Sequence, residues 1–281
     1  MTAASRIDAV LRDARTRVDH ADAELLLAHV LGKSRSWLYA HGDDPLADAH
    51  AMQYATLLDR RVAGEPLAYL TGRKGFWRFE LQVTPDTLIP RPETELLVEL
   101  ALAHLPRDRP VRVADLGTGS GAIALAIAYE RPHAHVVAVD ASVAALDVAR
   151  ANAHALRLAN VEFRHGDWCD AFAGETFDVI ASNPPYIALG DLHLDALRFE
   201  PASALSSGHD GLDAIRAILR DAADHLAPGG ALLVEHGYRQ GAKVRALFDA
   251  ARLRDVETAH DVERRERVTS GFKAGDALAR G

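Results

Sequence analysis

Cysteine is nearly absent from this chain: Cys169 is the only one among 281 residues. A single thiol excludes an internal disulfide, a four-thiolate zinc site and an iron–sulfur cluster held by this chain, and it suits a reducing compartment. Long apolar runs are missing too. No stretch approaches the roughly 20 residues that span a bilayer, and the amino terminus, Met1 to Arg6, leads into an amphipathic pattern rather than the apolar centre of a secretion signal. Excess positive charge is also lacking, because 32 Lys and Arg stand against 40 Asp and Glu for a formal charge of −8. A protein that grips a nucleic acid over many phosphates carries a basic patch, so extensive nucleic-acid contact is not expected. The fourteen histidines are scattered, and His133 and His135 have no carboxylate or thiolate cluster beside them in sequence, so no metal is expected. What remains is a cytoplasmic protein with no membrane partner, long enough for one large core and a smaller companion domain.

Residues from Ile7 to about Gly72 follow a helical pattern. Ile7, Val10 and Leu11, then Ala23, Leu26, Leu27, Val30 and Leu31, then Met52, Leu57, Leu58 and Val62 recur at helix spacing, with breaks at Gly32 and at Gly42 to Pro45. They predict a small helical bundle forming its own domain, residues 1–73. From Gly75 to Val83 apolar and polar residues alternate, which predicts a strand or hairpin within a linker, residues 74–90. Pro92 then fits the first position of a helix, and Glu93 and Glu95 suit the positive end of its dipole. From Val111 onward strand and helix alternate, the signature of an α/β domain with a parallel sheet covered on both faces, residues 91–281. Strands are expected at Val111 to Leu116, Val136 to Asp140, Val161 to Arg164, Phe177 to Ser182 and Ala231 to Glu235, with weaker ones near Leu253 to Thr258 and Val268 to Lys273. Helices are expected to start near Ser120, Ser142, Asp210 and Gln240.

Four of these strands end in residues suited to binding. The first runs into Gly117-Thr118-Gly119-Ser120-Gly121, where glycines permit a tight turn and close approach of a ligand to a helix amino terminus. Its G-x-G-x-G spacing is not the G-x-G-x-x-G of a dinucleotide site, and a turn serving only helix packing has the same composition. Asp140 closes the second strand, where a carboxylate can accept hydrogen bonds from a ribose diol. Asp167 and Trp168 close the third, an acceptor for an exocyclic amine beside a ring for a purine to pack on, although core packing would use Trp168 as readily. The fourth ends in Asn183-Pro184-Pro185-Tyr186. Two prolines remove two backbone donors and hold the preceding residues extended, so the tetrapeptide offers acceptors and one aromatic face. Such a set suits a planar NH2 group, whereas in isolation Asn-Pro also begins ordinary turns.

Taken together, these residues resemble a class I S-adenosylmethionine-dependent methyltransferase. A closer resemblance is to the peptide chain release factor N5-glutamine methyltransferase family. It is carried by Gly64-Glu65-Pro66-Leu67-Ala68-Tyr69, by Leu88-Ile89-Pro90-Arg91-Pro92-Glu93-Thr94-Glu95, by Asp115 to Gly121, by Asn183 to Ile187, and by Glu200-Pro201 with Ala204-Leu205 and Asp210-Gly211. The resemblance covers essentially the whole chain. It implies a Rossmann-like seven-stranded catalytic domain joined by a β-hairpin to a helical amino-terminal domain that recognises substrate. It also implies methyl transfer from S-adenosyl-L-methionine to the glutamine amide nitrogen of the Gly-Gly-Gln motif in release factors. By position, Gly117, Thr118, Gly119, Ser120 and Gly121 would meet the methionine part of the cofactor, Asp140 its ribose, and Asp167 and Trp168 its adenine. Asn183, which also borders the cofactor, would with Pro184, Pro185 and Tyr186 hold the glutamine amide, and Asn183, Pro184 and Tyr186 would carry the catalysis. Two departures are modest: Glu93 replaces a common aspartate, and His236 interrupts a stretch that is often apolar.

Other acceptors of the methyl group share parts of this pattern. A ribosomal-protein glutamine and an adenine N6 amine are both planar NH2 groups; the second requires base flipping and a grip on the backbone, which the acidic charge opposes. A cofactor-binding sensor without catalysis would not need the acceptors at Asn183 and Pro184.

Overall fold

The computed structural model describes residues 6–275, so the amino-terminal segment up to Ser5 that was read for a targeting signal lies outside the described residues. The chain divides into two compact units between Arg73 and Lys74.

Among the described residues the first unit holds five helices: α1 (Ile7–Ala14), α2 (His20–Leu31), α3 (Arg35–Ala40), α4 (Asp48–Val62) and α5 (Leu67–Thr71). Local chemistry sets their ends. Asp19 accepts the Ala21 N–H at the start of α2, Ser34 accepts the Trp37 N–H at the start of α3, and Gly32 closes α2 in the left-handed conformation. Ile7, Leu11, Leu26, Leu27, Leu38, Tyr54, Leu57 and Leu58 form the core. Met52 and Val62 do not join it, being 73% and 51% exposed. The buried stripe of α4 runs through Tyr54, Leu57 and Leu58, and Met52, two residues before Tyr54, falls on the opposite side of a 3.6-residue helix.

Among the described residues Glu24 is the one buried acid of this core. Its carboxylate accepts from Arg15 Nη2 and Arg35 Nε, each at 2.9 Å, and from Tyr39 Oη. Burial alone raises its pKa, but the hydrogen bonds from Tyr39, Arg35 and Arg15 outweigh it and hold the carboxyl at about 2. A depressed acid stabilises the fold above its ordinary pKa of 4.5 and loses that contribution as pH falls towards 2. Glu24→Gln is therefore expected to cost about 1–3 kcal/mol at neutral pH and to flatten the acid-induced loss of stability in that window. Amide exchange in α2 measured across pH would reveal both effects, and an unaltered acid limb would contradict them.

A hairpin, β1 (Arg73–Phe76) and β2 (Phe79–Gln82), begins at the boundary residue Arg73 and is followed in the second unit by α6 (Thr94–Ala103). Pro92 and Glu93 form a turn that runs directly into α6, with the Thr94, Glu95 and Leu96 N–H groups donating to the carbonyls of Arg91, Pro92 and Glu93. Glu95 gives its carboxylate to the hairpin's Trp77 N–H at 2.9 Å, so it joins hairpin to helix in addition to lying in the first turn. Alternation follows through β3 (Val111–Leu116), α7 (Ala122–Glu130), β4 (Ala134–Asp140), α8 (Val143–Leu156), β5 (Val161–His165), β6 (Phe177–Ser182), α9 (His193–Ala196), α10 (Asp213–Asp221), β7 (Leu226–Glu235), α11 (Gly241–Ala250), β8 (Arg254–His260) and β9 (Glu266–Phe272).

Seven strands form one sheet in the order β5-β4-β3-β6-β7-β9-β8. The first five are parallel, while β9 runs antiparallel to both β7 and β8, so the sheet is mixed rather than wholly parallel. The short turn between β8 and β9 makes a hairpin, and β9 inserts beside β7. Period-two alternation sorts side chains to two cores. Val113, Val136, Ala138, Val179 and Ala181 face α6 and α7, whereas Ala114, Val137, Val139, Ile180 and Leu232 face α10 and α11. Chain order reverses direction between β3 and β6, which pair with Leu116 opposite Ser182. Outside the carboxyl ends of strands at such a switch point an α/β sheet leaves a crevice.

Candidate active site

A cavity of about 440 Å³ occupies that crevice. It is lined by Gly117, Thr118, Gly119 and Ser120 from the loop after β3, by Asp140 after β4, by Asp167 and Trp168 after β5, and by Asn183 and Pro185 after β6. A smaller cavity of about 60 Å³ is lined by Pro184, Tyr186 and Ile187, with Arg91 and Leu197. Asn183, Leu88 and Ala204 border both. The sequence-derived residues thus divide between two spaces with Asn183 at their junction, and Gly121 borders neither.

The loop after β3 is shaped from behind. Asp115 is fully buried and its Oδ2 accepts from the Thr118 hydroxyl at 2.7 Å and the Ala124 N–H at 3.0 Å, tying the loop to the first turn of α7. Burial pushes this carboxyl up to about 7 against those two hydrogen bonds. Two of the glycines do different work. At Gly121, φ is +88° and an added Cβ would meet Leu125 at 2.9 Å, so this glycine serves packing. At Gly119, φ is +56° and the space where a Cβ would stand is open, on the wall of the larger cavity. Asn152, which the sequence reading did not single out, donates to Ser120 O at 2.9 Å and exchanges two hydrogen bonds with the Gln82 backbone.

Asp140 accepts the Gly119 N–H on Oδ2 and the Ser142 N–H on Oδ1, both at 2.8 Å. Each oxygen keeps a second lone pair for a ligand hydroxyl. Burial raises this carboxyl, with the two N–H donors acting against it. Trp168 takes φ +47°, a conformation rare for an aromatic residue, and its ring reaches within 3.4 Å of where a Cβ on Gly117 would sit. The indole is thereby held over the glycine loop, and Asp167 beside it is exposed. Neighbouring Cys169 is buried, and burial pushes its thiol up to about 12, so it is no nucleophile at neutral pH. An open backbone wall, a carboxylate with free lone pairs and a ring beside an acid fit the glycine-loop contact, ribose and adenine of S-adenosyl-L-methionine.

Asn183 follows β6, whose end is fixed by the Ser182 hydroxyl on Leu116 O at 2.7 Å. Its Nδ2 donates to Thr94 Oγ1 at 3.1 Å, and its Oδ1 is buried without a protein partner. A buried acceptor left unpaired is costly, and here it borders both cavities. Beyond it the chain is pinned on both sides. Gln240 Nε2 donates to Tyr186 O at 2.9 Å, and Ile187 exchanges backbone hydrogen bonds with Leu205 and Ser207. Burial raises the Tyr186 hydroxyl above the usual phenol range, so its ring meets the cavity uncharged. Glu200, a buried acid, accepts the Ile89 N–H at 3.0 Å and pairs with Arg91, which fixes the segment carrying Leu88 and Pro90 against the cavity.

Comparison with known proteins follows the same division. Residues 3–72 match the family described as PrmC N-terminal domain, and residues 93–199 match the Methyltransferase small domain. A protein of Xylella fastidiosa named release factor glutamine methyltransferase is 55% identical over 94% of this chain and 96% of its own length. Proteins of the same name from Escherichia coli (48% identical, 89% of this chain and 91% of theirs) and Coxiella burnetii (47%, 88% and 89%) are also similar. Among solved structures, a Pyrococcus furiosus methyltransferase matches with a TM-score of 0.54 at 20% identity, over 78% of this chain and 99% of its own. A Thermus thermophilus 16S rRNA N2 G1207 methyltransferase, solved with AdoMet and guanosine, matches with a TM-score of 0.54 at 22% identity, over 72% and 49%. These two establish likeness of fold.

Proposed function

The chain belongs to the release factor glutamine methyltransferase family, and from that premise we propose how its own residues carry the reaction. It transfers a methyl group from S-adenosyl-L-methionine to a glutamine of a peptide chain release factor. The acceptor atom is the side-chain amide nitrogen of the glutamine in the Gly-Gly-Gln motif. The observation that carries this reading is the unpartnered Oδ1 of Asn183 at the junction of two cavities.

Gly117, Thr118, Gly119 and Ser120 hold the methionine part of the cofactor, Asp140 its ribose diol, and Asp167 and Trp168 its adenine. When bound, the cofactor supplies a methyl group on a positively charged sulfur, an electrophile needing no further activation. The difficulty lies with the nucleophile, because the amide lone pair is delocalised into its carbonyl. Asn183 Oδ1 and the Pro184 carbonyl each accept one N–H of the glutamine amide. They fix its plane, and as the nitrogen gains positive character these acceptors stabilise the growing charge. Pro185 keeps the Pro184 backbone extended, and the Tyr186 ring lies on the amide face. Orientation of this kind is worth about 7–11 kcal/mol in well-held reactions. No base is needed beforehand, since an amide nitrogen bearing a fourth substituent is a strong acid and releases its proton after transfer.

We assign recognition of the release factor to the helical unit, and we place the reaction in the cytoplasm without extensive nucleic-acid contact. No helix among the described residues is long and apolar enough to cross a membrane. The test is to incubate the protein with radiolabelled cofactor and, separately, release factors, ribosomal proteins and DNA, and then locate the label by mass spectrometry. Label on the glutamine of the Gly-Gly-Gln motif is expected. Label confined to a ribosomal-protein glutamine or to adenine would overturn the assignment.

A further inference from the structure

Asp210 and Gly211 belong to the sequence pattern, yet they border neither cavity. Asp210 sits just before α10 and holds Arg216 with both carboxylate oxygens, at 2.9 Å and 2.6 Å. That accounts for the acid and leaves the glycine. Gly211 has φ +75°, and an added Cβ would run into Tyr186 O and stand 2.8 Å from Gln240 Nε2. A backbone carbonyl cannot swing aside as the end of a flexible side chain can. Glycine stands here because the Tyr186 carbonyl and the Gln240 carboxamide both come up against it.

Gln240 lies at the centre of this junction, just ahead of α11. Its own N–H donates to Gly237 O at 2.8 Å, and its Oε1 accepts the Gly237 N–H, also at 2.8 Å. A backbone N–H can only donate, so this contact commits the carboxamide oxygen and turns the NH2 the other way. The two NH2 protons go to Tyr186 O at 2.9 Å and to Asp210 O at 3.3 Å. One carboxamide thereby ties the turn after β7 and the turn before α10 to the segment after β6.

The contact with Tyr186 fixes a direction as well as a place. Tyr186 O belongs to the rigid peptide plane that also carries the Ile187 N–H. Gln240 holds the oxygen end of that plane, and Leu205 O accepts from the N–H end at 2.9 Å. A plane held at both ends cannot rotate, and the direction in which the Tyr186 side chain leaves the backbone is set with it. We propose that Gln240 and Gly211 are positioning residues that lock the Tyr186–Ile187 peptide plane and so aim the Tyr186 ring at the face of the substrate amide. The role rests on the reading of Tyr186 as part of the amide clamp. Gln240 and Gly211 border neither cavity, and Tyr186 borders the smaller one without bordering the larger. Their loss should therefore fall on methyl transfer and spare the cofactor.

The test compares single turnover at saturating release factor, cofactor dissociation constant and melting temperature for the full chain and its variants. Gln240→Glu keeps the length and the acceptor for Gly237 but sets an oxygen against Tyr186 O. The rate should fall about tenfold, the equivalent of one neutral hydrogen bond, with the cofactor dissociation constant held. Gln240→Met removes both contacts without adding charge and should lose at least as much. A role confined to the turn before α11 predicts otherwise, since Gln240→Glu would then behave as wild type and only Gln240→Met would suffer. Gly211→Ala, which displaces the Tyr186 carbonyl, should also slow transfer, with the melting temperature showing whether it is folded. In a Tyr186→Ala background Gln240→Glu should cause no further loss, because no ring is left to aim. Wild-type turnover by Gln240→Glu, cofactor affinity falling in step with the rate, or a tenfold loss that persists in the Tyr186→Ala background would each overturn the proposal. If Tyr186→Ala itself transfers methyl groups normally, the reading of Tyr186 in the clamp fails and the proposal with it, and that one variant tells the two failures apart.

Discussion

Asn183→Ala is expected to lower the rate of methyl transfer about 10²–10³-fold, the usual consequence of deleting one preorganised polar group that meets charge developing in a transition state. The side chain contributes two things that alanine lacks. Its Oδ1 is the one buried, unpartnered side-chain acceptor of the fourth strand end, and its Nδ2 anchors the residue to Thr94 at 3.1 Å. Binding of the cofactor should survive, because the glycine loop, Asp140 and Trp168 are placed by Asp115, Asn152 and their own backbones rather than by Asn183. The effect should appear in kcat far more than in the cofactor dissociation constant. Asn183→Asp tests the same logic from another side. It keeps an acceptor but has no N–H for Thr94, so it should fall well short of the wild type. Turnover near that of the wild type in Asn183→Ala would remove Asn183 from the mechanism.

The strand ends that form the site were legible because they obey local rules. The strands at Val111, Val136 and Phe177 are short, mostly apolar stretches and that at Val161 alternates apolar with charged residues, and the structure places β3, β4, β5 and β6 within two residues of the expected limits. β7 departs further. Ala231 to Glu235 was expected, but the strand begins at Leu226 and passes through Pro228, Gly229 and Gly230. Backbone partners on both sides override the turn chemistry there: the Gly229 N–H reaches Lys273 O at 3.2 Å, the Lys273 N–H reaches Gly230 O at 2.9 Å, and Leu226 pairs with Phe177. Contacts across long separations were not legible at all. Asn183 and Thr94 are 89 residues apart, and Ile89 and Glu200 are 111 apart. The segments Leu88 to Glu95 and Glu200-Pro201 stood out only as separate parts of a family resemblance, and nothing local announces that a glutamate in one caps the backbone of the other. Thr94 read as one residue of a helix start. Only the sheet order, which sets β6 beside β7, and the packing of α6 over both bring Asn183 to Thr94.

Asp140→Ala is expected to raise the dissociation constant for S-adenosyl-L-methionine about 10²-fold or more. A hydrogen bond to a charged acceptor contributes about 1.5–3 kcal/mol, and the variant loses the acceptors assigned to the ribose diol. It also releases the Gly119 N–H, now held at 2.8 Å, and with it the loop that lines the cavity. Asp140→Asn should do little better, because two backbone donors, from Gly119 and Ser142, converge on the two oxygens, and an amide satisfies only one of them. The pH dependence carries a sign that separates this role from simple structural damage. Burial raises the Asp140 carboxyl above its ordinary 3.8, so cofactor affinity should be full above the raised pKa and fall as acid protonates the group. For the protein without cofactor the linkage runs the other way: a raised acid destabilises the fold while ionised, and the penalty is relieved as pH drops through its folded value. The difference between wild type and Asp140→Ala should therefore shrink on acidification for affinity, while in stability the wild type gains on the variant. Calorimetry and melting curves across pH measure the two quantities independently. An unchanged dissociation constant in Asp140→Ala would end the ribose assignment, and affinity and stability moving in the same direction with pH would show that Asp140 acts on the fold and not on the ligand.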